Sequence, residues 1–350
     1  MNKKKTNSTT RFKSLFFALL SSVLFACGGS GTGDFPRPGT ETTEPEKIEI
    51  PYFSADSAYT FIETQVNFGP RVPNTPEHAK TAEWLEMMLS RFAHEVIVQE
   101  ATVTAFDDTE LDIKNIIGIF NPEASQRLLL CAHWDTRPFA DQETDPELRK
   151  KPIPGANDGG SGVGVLLEIA RILHENPVDI GIDIIFFDAE DYGLPSWKPS
   201  RPNSEKTWCL GSQYWARNPH VRNYTANNGI LLDMVGARNS TFTFEQFSMT
   251  YAPSFMQRVW DNAAKLGFSG MFIRQRTGPV IDDHYFINTI ANIPTINIIH
   301  RDLSTRSGFG DYWHTHSDNM DIIDKTTLEA VGRTVLYTVF QENHRRKRRL

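Results

Sequence analysis

Acids and histidines recur in this chain directly behind short apolar runs. His133-Trp134-Asp135 follows Leu128-Leu129-Leu130-Cys131-Ala132, and Asp188-Ala189-Glu190-Asp191 follows Ile184-Ile185-Phe186-Phe187. Asp233 follows Leu231-Leu232, and Tyr312-Trp313-His314-Thr315-His316 comes one loop after Ile298-Ile299. The long loop after Asp135 ends in Gly155-Ala156-Asn157-Asp158-Gly159-Gly160-Ser161-Gly162, where a helical pattern opens. Taken singly, an Asp behind a strand is a turn former or a helix cap. Repetition changes that reading, because carboxylates gathered at one edge repel one another and call for a cation. Asp, Glu and His are ligands that zinc takes, so a divalent metal site is expected. The glycines around Asp158 imitate a phosphate loop but lack its Lys-Ser/Thr pair. Their expected task is close approach of backbone to the metal. No CxxC pair exists, which excludes a cysteine zinc site.

The elements that must position these residues follow from the same pattern. Thr75-Pro76, followed by Ala79, Ala82, Leu85, Met88, Leu89 and Phe92, reads as an amphipathic helix with Thr as N-cap and Pro in the first turn. Strands are expected at 113–120, 127–132, 183–187, 230–234 and 295–299, mostly as unalternating apolar runs of the kind buried on both faces. Helices are expected at 160–175, 211–218, 253–266, 283–289 and 326–341. This alternation predicts an α/β single domain with a mixed, mostly parallel central sheet flanked by helices on both faces. Ligands of such folds bind beyond the carboxyl ends of the strands, where the acids and histidines cluster.

With 350 residues, 39% of them hydrophobic, the chain can bury the core of one large domain. A net charge of −7 argues against a nucleic-acid surface, and no nucleic-acid partner is expected. The one strongly basic run, 344–349, reads as a solvated tail. At the other end, Lys3, Lys4, Lys5, Arg11 and Lys13 precede an apolar run at 15–26 that is too short to span a bilayer but suits a signal peptide. It ends in Leu24-Phe25-Ala26-Cys27-Gly28, which resembles a bacterial lipobox with Cys27 as the lipidated residue. The expected organisation is a lipoprotein signal peptide at 1–26, a flexible Gly/Ser/Thr/Pro/Glu-rich tether at 27–47 and the folded domain at 48–350. That organisation places a monomer in the bacterial cell envelope, with its lipid anchor as the only membrane contact. Cys131 and Cys209 remain, free or paired.

Several motifs together resemble the zinc aminopeptidase superfamily: Gly69-Pro70-Arg71-Val72-Pro73, His133-Trp134-Asp135, Asn157-Asp158-Gly159-Gly160-Ser161-Gly162, Phe187-Asp188-Ala189-Glu190-Asp191 and Trp313-His314-Thr315. The resemblance covers the chain from about residue 55 onward. Within the superfamily the sequence is most similar to the glutaminyl cyclase branch. Asp282-Asp283-His284 carries an extra acid where aminopeptidases have Ser before Asp-His, and Trp197 stands in a Ser-Trp-Lys-Pro loop after the acidic pair. Leu210-Gly211-Ser212-Gln213 opens the next helix, and Phe309 lies four residues before Trp313.

The resemblance implies zinc ligands at Asp158, Asp191 and His314, one zinc per chain, and Glu190 as general base and acid. It makes Asp233 and Asp282 the acids that hold substrate and Trp197, Phe309 and Trp313 the pocket walls. Trp84, Trp208, Trp215 and Trp260 are left to packing. The implied reaction closes the N-terminal glutamine of a peptide or protein to pyroglutamate: the α-amine attacks the γ-carboxamide carbon, zinc polarises that carbonyl, and ammonia leaves. Two positions depart from the family pattern: Asp191 stands where Glu is usual, and Asn297 where animal cyclases carry His. The rival reading is a two-zinc aminopeptidase, in which His133 and Asp233 bind a second metal; for a cyclase His133 is a hydrogen-bonded bystander. A binding protein that merely keeps the fold is the third class, and the intact acid pair with His314 tells against it.

Overall fold

The computed structural model describes residues 48–200 and 202–348, all within one compact unit, Lys47–Leu350. The expected signal peptide, Cys27 and the tether lie outside the described residues. Two helices come first, α1 (Ala55–Phe68) and α2 (Pro76–Phe92). The second starts as its sequence predicts, with Pro76 in the first turn and the Thr75 hydroxyl accepting from the His78 N–H. Then follow β1 (Glu95–Thr104), β2 (Glu110–Phe120), β3 (Arg127–His133), α3 (Gly160–Glu175), β4 (Gly181–Phe187), α4 (Leu210–Arg217) and β5 (Asn228–Asp233). The second half comprises β6 (Phe242–Phe244), α5 (Gln246–Tyr251), α6 (Pro253–Lys265), β7 (Phe272–Arg276), α7 (Asp283–Phe286), β8 (Thr295–Ile299) and α8 (Lys325–Lys347).

Six strands form the central sheet in the order β1-β2-β4-β3-β5-β8, and β6 with β7 makes a separate pair. The β4, β3, β5 and β8 strands run parallel, while β2 joins β4, and β1 joins β2, antiparallel. Apolar side chains of the parallel strands divide by parity, as a pleat demands. Leu128, Leu130, Ile182, Ile184, Ile230 and Leu232 share one core with α1, α2, α3, α6 and α8. Leu129, Cys131, Ile185, Phe187 and Leu231 face Trp215 of α4 and Ile287 on the other side. Both faces are therefore covered, which is why these strands read as continuous apolar runs.

Register carries the chemistry to one edge. His133 pairs with Phe187 across β3 and β4, and Asp233 pairs with Ile299 across β5 and β8. The residues following all four strands thus emerge together. At the opposite edge, Arg127 clamps Asp183 with two 2.6 Å contacts, and the Tyr224 hydroxyl adds a third donor at 2.7 Å, so the buried carboxylate is fully paired.

Three differences from expectation stand out. The α1 helix and the β1 strand were not read from the sequence. The 283–289 segment is a short helix followed by a π-helical turn, Ile287–Ala291. The basic run is not a free tail through residue 347: α8 continues through Lys347, with Arg346 donating to the Asp179 carbonyl and Lys347 pairing with the Asp179 carboxylate at 3.0 Å. Cations at a helix C-terminus meet the negative end of its dipole, which favours continuing the helix there. Among the described residues, no helix is long and apolar enough to cross a membrane.

Candidate metal centre and pocket

The loops that carry Asp158 and Asp191 are each pinned by a carboxylate taking two consecutive backbone N–H groups. Asp135 accepts from Glu190 N at 3.0 Å and from Asp191 N at 3.1 Å. Asp318 accepts from Asn157 N and Asp158 N at 2.7 and 3.0 Å. Both carboxylates are buried, so these bonds form in low dielectric, where they hold geometry firmly. Behind Asp158, Gly159 comes so close to β3 that an added Cβ would lie 2.3 Å from the His133 carbonyl oxygen. Glycine is required there by the approach to His133.

Asp158, Asp191 and His314, the three expected ligands, converge with their ligating atoms within 4.8 Å of one another, all buried. The His314 Nδ1 atom bonds Asp141 at 2.9 Å, which turns Nε2 toward Asp191 Oδ1 at 3.3 Å and Asp158 Oδ2 at 3.8 Å. That carboxylate–histidine pairing is how ligating imidazoles are oriented. Asp141 is itself gripped by the Arg137 guanidinium at 3.0 and 3.1 Å. Both carboxylate oxygens of Asp191 are buried without a hydrogen-bond partner, although His314 and Arg137 approach to 3.3 and 3.5 Å. An acceptor-only group left in this state wants a cation, and a three-donor N/O set of this kind fits zinc. Burial lowers the His314 pKa, but Asp191 and Asp141 outweigh it and raise it to about 9.

A second group overlaps the first. His133, Asp158 and Asp233 also gather within 4.8 Å, with His133 Nε2 at 3.0 Å from Asp158 Oδ1 and hydrogen-bonded to Asp233 at 3.2 Å. Beside both groups stand Glu190 and Asp282, brought together with the Cys209 thiol. Burial above all drives the Glu190 pKa well up; Asp282, Asp191 and Asp283 add to this against the pull of His133. Asp233 is raised to about 8, again first by burial and then by Asp158. Asp282 caps α7 through the Asp283 N–H, and the Asn297 amide donates to its other oxygen at 2.6 Å.

The pocket above these groups has a volume of about 300 Å³, and Phe309 and Trp313 line it. The Trp313 ring stacks on His314 at 3.8 Å and packs against Phe309 at 4.8 Å. Trp197, expected as a pocket wall, lies apart from these rings. It is 44% exposed, packs edge-on against Phe139 at 5.5 Å, and is not part of the lining. Trp208 lines the pocket, nearly parallel to His314 with the rings 6.1 Å apart and with the Arg137 guanidinium over its own ring at 4.5 Å. Nothing in its sequence surroundings separates Trp208 from the packing tryptophans.

Sequence reasoning also passed over Arg137 and Asp141, which sit in an apolar-poor loop, and over Cys209. Its thiol is 3.1 Å from Glu190 Oε1, and its N–H donates to the Glu190 carbonyl at 2.8 Å. Cys131 and Cys209 are both buried and free, so they are not a disulfide. Ala189, Cys209, Met234 and His314 all take left-handed backbone angles, with φ of 48°, 56°, 49° and 55°. For non-glycine residues that costs about 1–2 kcal/mol each, and their grouping around one pocket marks where the fold accepts strain.

Known proteins resemble this chain in sequence and in fold. The model of peptidase family M28 matches residues 115–339. The crystal structure of Tannerella forsythia glutaminyl cyclase superposes with a TM-score of 0.81 at 52% identity, covering 83% of this chain and 99% of that one. Glutaminyl-peptide cyclotransferase of Gloydius blomhoffii is 28% identical over 254 residues, 65% of this chain and 65% of that protein's length. Aminopeptidase YwaD of Bacillus subtilis is 28% identical over 261 residues, which are 71% of this chain and 49% of the other.

Proposed function

The chain belongs to peptidase family M28, and from that premise we propose that it is a zinc-dependent glutaminyl-peptide cyclotransferase, closing N-terminal glutamine of peptides or proteins to pyroglutamate with release of ammonia. The observation that carries this reading is Asp282, buried at the head of α7 and gathered with Glu190 at the pocket floor. Hydrolysis by a metal-bound water has no task for this extra acid, whereas cyclisation must hold both an amine and a departing amide. Zinc fits Asp158, Asp191 and His314, and when bound there it supplies a Lewis acid toward the γ-carboxamide.

The chain's own residues account for the rest. Asp233 holds the α-amine, and Asp282, steadied by Asn297, holds the amide nitrogen. The new C–N bond forms within one molecule, so the pocket contributes chiefly orientation. Glu190 takes the amine proton and returns it to the nitrogen that leaves as ammonia. A carboxyl pushed upward by burial suits a group that must both accept and give a proton near neutrality. Trp208, Phe309 and Trp313 shield the site from bulk water.

We assign one zinc per chain, with His133 held by Asp233. A second reading, the two-zinc aminopeptidase, is favoured by one observation: His133, Asp158 and Asp233 converge as closely as the first triad. Cleavage would then release free amino acid. Incubating the zinc-loaded protein with Gln-Ala distinguishes the two, because cyclisation blocks the α-amine to amine-reactive labelling while ammonia accumulates. An amine that stays labelled sinks the cyclase reading. The expected monomeric, lipid-anchored state in the bacterial cell envelope belongs to the same proposal. Acyl labelling, which Cys27→Ala should abolish, tests the anchor.

A further inference from the structure

The pocket that collects five carboxylates also contains an arginine that, among the described residues, no carboxylate pairs with. Arg301 follows β8 and lines the pocket together with Ser307 and Phe309. Its backbone is fixed on both sides, since its N–H donates to the Thr241 carbonyl at 2.9 Å and its own carbonyl accepts from the Thr241 hydroxyl at 2.8 Å. The guanidinium lies over the Phe309 ring at 4.5 Å. Gly308, at φ +78°, folds the loop so closely over it that an added Cβ would come within 2.6 Å of Nη2. Yet its Nε is buried without a hydrogen-bond partner, and among the described residues no carboxylate pairs with the side chain. The nearest acids are already engaged. Asp302 accepts from the Ser304 N–H and hydroxyl. Glu245 accepts from the N–H groups of Phe247, Ser248 and Val280 and from the Ser248 hydroxyl, and pairs with His284. Burial lowers the Arg301 pKa, with Glu245 pulling the other way.

A half-desolvated guanidinium without an anion is costly, and it forms its strongest hydrogen bonds with a carboxylate. An N-terminal glutamine offers an amine and a carboxamide, for which Asp233 and Asp282 are present, and a peptide carbonyl, but no anion. The anion must therefore come from the part of the peptide beyond that glutamine. Resting on the cyclase reading, we propose that Arg301 is a specificity-determining residue that binds a carboxylate next to the reacting glutamine, so the favoured substrates are peptides acidic at this point. A side-chain carboxylate on the second residue and the terminal carboxylate of a dipeptide share this chemistry.

Steady-state cyclisation of four peptides separates the possibilities: Gln-Ala-amide, Gln-Ala, Gln-Glu-amide and Gln-Lys-amide. The wild type should turn over at least one carboxylate-bearing peptide with kcat/KM about tenfold above Gln-Ala-amide, the scale of one charge-assisted hydrogen bond. The gain should lie in KM, and Gln-Lys-amide should rank last. A preference for Gln-Ala alone assigns the terminal carboxylate, and one for Gln-Glu-amide alone assigns the side chain. Arg301→Gln should erase the ranking by charge, and Arg301→Lys should restore part of it. Equal kcat/KM for all four peptides, or a ranking that survives Arg301→Gln, overturns the assignment while leaving the cyclase reading intact. Absence of ammonia from every peptide overturns that reading and Arg301's role with it.

Discussion

Glu190 and Asp191 are neighbours, each donating its backbone N–H to one oxygen of Asp135, yet their surroundings separate them. Asp191 faces Asp158 and His314 with unpartnered oxygens, whereas Glu190 faces Asp282 and the Cys209 thiol. On the proposed function, Asp191 meets the cation and Glu190 handles the proton. Glu190→Gln should therefore keep its zinc and lose about 10²–10⁴-fold in rate, the usual scale of positioned proton transfer. Metal analysis after dialysis checks the first half, and a variant that loses zinc would reassign the pair. Asp141 acts one step further out, through the Nδ1 atom of His314. Asp141→Ala should weaken zinc binding by about 10–100-fold, measured by competition with a chelator, because the imidazole loses its orientation. Unchanged affinity would show that Trp313 and Trp208 alone hold the ring.

The elements explain why some of this was legible in the sequence and some was not. Strands β3, β4, β5 and β8 were readable because strands covered on both faces need apolar residues at every position. The polar residues at and just past their carboxyl ends were readable because they break those runs. The edge strand β1 has one face toward water, and Glu95, Glu100 and its threonines break the apolar run that served as the signal elsewhere. Helix α1 escaped because its helical stripe is thin, with Ala58, Ile62 and Gln65 as its buried positions. Trp208 was left to packing because it lies, like Trp197, in the irregular stretch between β4 and α4, where no periodicity tells a wall residue from a surface one. Helix α3 makes a tight requirement on the site. A Cβ on Gly162 would sit 2.2 Å from the Leu232 carbonyl oxygen of β5. Backbone cannot yield there as a flexible side chain can. Gly162→Ala should cost about 1–3 kcal/mol, read as a lower urea midpoint at unchanged slope. A midpoint equal to wild type would show that α3 can shift away from β5 freely.

At the scale of the whole molecule, four parallel strands in register deliver their following loops to one rim, and the aromatic loop after β8 closes over it. This arrangement would serve either one metal or two, since Asp158 belongs to both triads. A cyclase gains nothing from a second zinc, because its nucleophile is an amine already in the substrate. A second cation would also occupy Asp233, the acid that should hold that amine. Purified wild type should therefore carry one zinc per chain, and His133→Ala should keep it; two tightly held zincs, falling to one in that variant, would favour the peptidase. The measurement closest to the central claim is a parallel incubation with Gln-Ala and Leu-Ala, following ammonia and free alanine together. The cyclase account predicts ammonia from Gln-Ala and no free alanine from either dipeptide, whereas alanine released from Leu-Ala, or from Gln-Ala without ammonia, would contradict it.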